Sequence, residues 1–243
     1  MTKLSVALAA LLSLAGQAQA HQIWIEQPEG QNAVIRFGEF GDNLRETSPG
    51  LLDKFVKPTG KLISGGKGEQ SSPAAKTSNG FTLPFKAGQG DSIVAEEADY
   101  PLYAWKREGK DTTNRYYPAA RFITSFAEQQ PALTLDLVPA GEPGRFKLLF
   151  KGQPRGKTKV TLVTQSGWAK EAQTDEQGLV SFDLPWQGTY VAEVSVDDRT
   201  PGERAGAQGA EKFDGTSYAT TLTYVSPNGL PAVPAGPAAT PNK

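Results

Sequence analysis

Apolar and polar residues alternate with a period of two along much of this chain. The pattern is clearest in the second half, where Leu133, Leu135 and Leu137 flank Thr134 and Asp136, and Phe146, Leu148 and Phe150 repeat it. Alternation of this kind puts every second side chain on one face of an extended strand. It predicts further strands over residues 160–163, 180–184, 190–196 and 219–225. Gly, Pro and Asp clusters at 141–144, 152–154, 175–178 and 187–188 punctuate them. The first half is less regular but reads as strands over 21–25, 33–38, 61–64, 80–86 and 92–97. One short helix is expected, with Ser48 as cap, Pro49 in the first turn, Leu51, Leu52 and Phe55 on one face, and Pro58 as the stop. Residues 65–79 and 199–215 read as loops, the second longer than connections in compact domains usually run. The prediction is an all-β fold of two antiparallel β-sandwich modules, 21–130 and 131–226, the second immunoglobulin-like. A Pro/Ala-rich tail, 227–243, has the composition of a disordered segment.

Composition changes this picture mainly by exclusion. Residues 1–20 have Lys3, an apolar run over 4–14 and an Ala18-Gln19-Ala20 cleavage site, so they read as a signal peptide. The mature chain would then begin at His21 in the periplasm. Among 243 residues, 25 Lys and Arg face 26 Asp and Glu, and no long apolar run follows the leader. Neither nucleic acid nor membrane insertion is therefore expected. There is no Cys, one Met and one His, which excludes thiolate chemistry and disulfides. With a single His and no distinctive pair of carboxylates, the chain does not read as an enzyme.

His21 is the most informative residue, because cleavage after Ala20 would place a free α-amine beside its imidazole. Two such nitrogens form a chelate suited to copper(II) or nickel(II). Oxygen donors would have to complete the shell. Glu39, Asp42 and Glu46, separated by Gly38 and Gly41, are the nearest dense source, and Glu203 in the long connection is another. Alternation places Glu26 on the opposite strand face from His21. The same acidic stretch also fits a solvated turn paired with Arg36 or Arg45. Tyr103, Trp105, Tyr116 and Tyr117, with Tyr100, could form a face that stacks on a glycan or a protein partner, or could be core.

The start His21-Gln-Ile-Trp-Ile-Glu26, the Arg36-Phe-Gly-Glu39 segment, Thr200-Pro-Gly-Glu203 and the closing Tyr218-Ala-Thr-Thr-Leu-Thr-Tyr224 together resemble the DUF4198-type bacterial periplasmic family. That family is often labelled the periplasmic component of cobalt or nickel uptake. Residues 152–160, 174–178, 182–185 and 188–190 also resemble transthyretin-like immunoglobulin modules. The resemblance implies capture of a divalent transition metal (nickel, cobalt or copper) and delivery to a membrane transporter or outer-membrane receptor. Many relatives are richer in His than this chain, which would have to add carboxylates to one amine and one imidazole.

Overall fold

Turn residues break the alternating pattern often enough that strands carry nearly all the regular structure. The computed structural model describes residues 21–65, 68–107, 109–206 and 209–242, so the expected leader lies outside the described residues. The first half contains β1 (Gln22–Glu26), β2 (Val34–Glu39), β3 (Leu44–Arg45), β4 (Thr59–Ser64), β5 (Gly68–Pro73), β6 (Ala75–Thr77), β7 (Gly80–Thr82), β8 (Ser92–Glu96), β9 (Tyr103–Arg107) and β10 (Lys110–Ile123). The second contains β11 (Leu135–Pro139), β12 (Arg145–Phe150), β13 (Gln153–Pro154), β14 (Lys159–Thr164), β15 (Ala169–Gln173), β16 (Leu179–Ser181), β17 (Gly188–Asp198), β18 (Gly202–Gly206), β19 (Gly209–Phe213) and β20 (Gly215–Ser226).

A nine-stranded sheet in the order β15-β14-β17-β20-β10-β8-β4-β5, with β9 on β10, forms the central wall. A five-stranded sheet (β1-β2-β7-β6, with β3 on β2) and a four-stranded sheet (β11-β12-β13, with β16 on β12) pack against it. Ala120 and Phe122 of β10 enter the core under the five-stranded sheet, with Ile23, Ile25, Ile35, Phe81 and Ile93. Ile123 of β10 enters the core under the four-stranded sheet, with Leu137, Phe146, Leu162, Tyr190 and Leu222. Because neighbouring side chains in a strand point to opposite faces, the two small sheets lie on opposite sides of the wall. Each large side chain buried this way contributes about 1.5–3 kcal/mol.

Residue 130 falls between β10 and β11, yet β20 pairs with both β10 and β17 and keeps the wall hydrogen-bonded across that point. Arg121 and Asp136 tie the same junction with bonds of 2.9 and 2.6 Å, both side chains fully buried. Asp136 also accepts the backbone N–H groups of Ala132 and Leu133.

Three local expectations are corrected. The helix near residue 50 is only a 3-10 turn, Leu51–Lys54, although Leu52 and Phe55 do enter the core. The buried Glu97 carboxylate takes the N–H groups of Val56 and Lys57 at 2.9 and 2.8 Å, donors that a longer helix would need, and Phe55 is already extended. The loop expected at 65–79 contains β5 and β6, and the long connection at 199–215 folds into the β18–β19 hairpin. Both segments are largely polar and exposed, so hydrophobic alternation does not reveal them.

Candidate functional site

β1 lies antiparallel to β2 with Ile23 opposite Phe37 and Gln22 opposite Gly38. One step further, this register brings His21 beside Glu39. The Tyr116 hydroxyl donates to the His21 carbonyl at 2.6 Å and the Thr221 hydroxyl donates to the Ile23 carbonyl at 2.8 Å, pinning β1 to the central wall. Across β2, a side chain at Gly38 would press its Cβ to 2.3 Å from the Leu44 carbonyl oxygen, so only glycine lets β3 approach this closely. That approach, fixed by the Glu46 N–H donating to the Phe37 carbonyl at 2.8 Å, carries Glu46 under the imidazole.

The His21 ring packs 5.2 Å from the Phe37 ring and is part-exposed. Its Nε2 lies 2.5 Å from Glu46 Oε1, and its Nδ1 lies 3.2 Å from Glu39 Oε1. Glu46 is completely buried. Burial, a hydrogen bond with Asp42 and the charges of Asp42 and Glu46 push the Glu39 carboxyl up, against the opposing pull of His21. Glu193 on β17 is pushed up to about 7, first by burial and then by Glu39 and Asp42. Tyr100 is pushed up to about 12 by burial and by Glu46. Among the described residues, no Lys or Arg forms an ion pair with Glu39, Asp42, Glu46 or Glu193.

The C-terminal tail reaches the same place. The Asn242 backbone N–H donates to Glu46 Oε2 at 3.0 Å, and its side-chain amide donates to Glu46 Oε1 at 2.7 Å while lying 3.1 Å from His21 Nε2.

His21, Glu39, Asp42 and Glu46 are therefore brought together, although Asp42 is exposed and reaches the group through Glu39. Glu203 is not among them: it stands in β18 opposite Lys212 and makes no hydrogen bond or ion pair with His21 or the three carboxylates. Glu26 faces the other way, held by Arg36 at 2.7 Å and by Arg45 at 2.6 Å. The aromatic set divides. Tyr116 packs edge-on against Tyr100 beside the first core, and Tyr117 donates to Glu96 under the Arg115 guanidinium. Tyr103 and Trp105 sit on β9, where Trp105 is 58% exposed.

Sequence reasoning missed Glu193 and Asn242. Glu193 had a signal, as a carboxylate between Ala192 and Val194 in a long alternating strand. Asn242 had none. Among the described residues, no group of three or more His, Asp or Glu side chains is already gathered in a metal-holding arrangement.

Residues 18–198 match the model of the DUF4198 family, a domain of unknown function. No curated protein matches the chain.

Proposed function

We propose that this chain, which belongs to the DUF4198 family, captures a divalent transition metal as cargo in the periplasm and delivers it to a membrane uptake system. The observation that carries this reading is the His21 ring between two carboxylates. A neutral imidazole has one N–H. Placing that proton at Nε2, where Glu46 Oε1 lies only 2.5 Å away, leaves Nδ1 meeting Glu39 at 3.2 Å as one acceptor facing another. A cation satisfies such a pair.

Nδ1 is also the ring nitrogen that closes a chelate with the α-amine of a chain starting at His21. The metal-holding groups are then that amine, Nδ1 and Glu39, with Asp42 beside them. Glu46 accepts the Nε2 proton and orients the ring, as carboxylates commonly do behind a metal-bound histidine. The surplus of negative charge at this end of β1 favours a cation, and an amine, imidazole and carboxylate set suits nickel, cobalt and above all copper. Gln22 Oε1, buried without a hydrogen-bond partner beside Glu193, adds another oxygen facing no donor.

The test is calorimetric titration of nickel(II), cobalt(II) and copper(II) into protein beginning at His21, alongside a form with one extra residue before it. Sub-micromolar binding lost on extension supports the assignment. No binding to the processed form overturns it.

A second reading has its own observation, the exposed Trp105 meeting Tyr103 edge-on at 6.5 Å. A ring exposed on a strand can stack on a glycan or a protein partner. Under this reading Trp105→Ala abolishes ligand capture with an unchanged melting curve.

A further inference from the structure

The tail after β20 has the composition of a disordered segment, yet it touches the body of the protein at three separated places. Gly229 turns it at φ 120, where a Cβ would stand 2.6 Å from the Pro185 carbonyl oxygen. Leu230 then exchanges backbone hydrogen bonds with Pro185 and Gln187, each 2.8 Å. Further along, Asn43 donates its side-chain amide to the Gly236 carbonyl at 2.8 Å. Further still, Asn242 donates to Glu46. Pro231, Pro234, Pro237 and Pro241 limit the conformations available between these points and favour an extended chain. At about 3.1 Å per residue, such a segment can span roughly 37 Å from Leu230 to Asn242.

Glu46 shows what this strap contributes. Its hydrogen bonds come from the His21 ring at Oε1 and from Asn242 at both oxygens. Without the tail, Glu46 Oε2 loses its donor and the cover that Asn242 gives it, so nothing in the protein fixes that oxygen. Glu46 would turn toward water and would stop accepting from Nε2 in a fixed direction.

We propose that Asn242 is a positioning residue for the His21 site: it holds Glu46, Glu46 holds the proton on Nε2, and Nδ1 is thereby presented toward Glu39. The relay Asn242–Glu46–His21 joins residues 242, 46 and 21 and makes the C-terminal segment a working part of the site. It rests on the metal reading only for what Nδ1 is presented to.

His21 is the only histidine in the chain, so its ring gives isolated nuclear magnetic resonance signals. The experiment compares imidazole ¹⁵N shifts in metal-free protein beginning at His21 for the intact chain, for Asn242→Ala, and for a chain truncated after Ala239, all in mildly alkaline buffer. The intact chain is expected to show the tautomer protonated at Nε2. Truncation, which removes both donors and leaves the Leu230 and Gly236 contacts in place, is expected to move the ring to a mixture of tautomers, with Asn242→Ala intermediate. Melting curves check that both variants stay folded.

Nickel(II) and copper(II) affinities of the same proteins should fall about tenfold on truncation, within the range for groups behind a metal ligand. Unchanged ¹⁵N shifts on truncation overturn the positioning role whatever the metal does. Altered shifts in a protein that binds neither metal uphold that role and sink the metal reading instead.

Discussion

The two faces of β1 treat their carboxylates in opposite ways. On one face Glu26 has two guanidinium partners, Arg36 and Arg45, and Trp24 donates its indole N–H to the same carboxylate. Burial alone would raise its pKa, but the two arginines outweigh burial and hold it below the usual range. On the other face Glu39 and Glu46 share one imidazole, with Asp42 close enough to add repulsion, while Glu193, bonded to Gln22 on the Glu26 side of the strand, is itself pushed up by Glu39 and Asp42. Burial is similar in kind on both faces, so the supply of cations makes the difference. A carboxylate with its own arginines is structural, whereas surplus carboxylates around a lone histidine invite a cation from solution.

The largest effect should come from removing the imidazole donor. His21→Ala is expected to weaken nickel(II) or copper(II) binding by about 100-fold or more while the fold persists, read by titration calorimetry and a melting curve. An equal loss on Glu26→Gln would erase the distinction between the faces.

Glu26→Gln should act on stability instead, leaving Arg36 and Arg45 without their charged partner at a cost of about 1–3 kcal/mol in denaturant unfolding. Glu26 has a lowered folded pKa, so its stabilisation is present above the unfolded value and is lost as pH falls through the folded one.

Glu193 should show the opposite slope. Its folded pKa, about 7 against a reference of 4.5, lies above the unfolded one, so its stabilisation is complete below about 4.5 and is lost as pH rises through about 7. Glu193→Gln should therefore stabilise the metal-free protein at pH 8, by on the order of 1–2 kcal/mol, and flatten the slope between these values. A metal ion should reduce the gain by supplying the missing positive charge.

The smallest effect is expected from Glu203→Ala on the β18–β19 hairpin. Metal affinity should stay within about twofold and unfolding within about 0.5 kcal/mol, as for most exposed substitutions.

Many strands over an apolar core were readable because their alternation repeats within a few residues, but the long central strand β10 was not, since its buried stretch from Pro118 to Ile123 runs without alternation. Leu135–Pro139 and Gly188–Asp198 show the repeat, as does β1, where the same rule separates Glu26 from His21. Strands with no apolar face, β5 and β18 among them, left no such trace. The short helix failed for a related reason: local signals near Pro49 were sound, but a carboxylate more than 40 residues away, Glu97, competes for the backbone. His21, Glu39, Asp42 and Glu46 could be named together because a single hairpin region carries them. Glu193 and Asn242 could not, since they reach Gln22 and Glu46 across separations of 171 and 196 residues.

The all-β class, many of the strands, the lone histidine and the local supply of carboxylates can be read from the chain alone, because strand periodicity and side-chain chemistry are local properties. Packing alone turns Arg36 and Arg45 both to Glu26, brings Glu193 to Gln22 within reach of the Glu39 and Asp42 charges, and returns the C-terminal tail to Glu46. Charge balance and hydrogen-bond satisfaction are settled by neighbours in space, and these neighbours come from β17 and the tail, which β1 meets only once the sheets have packed.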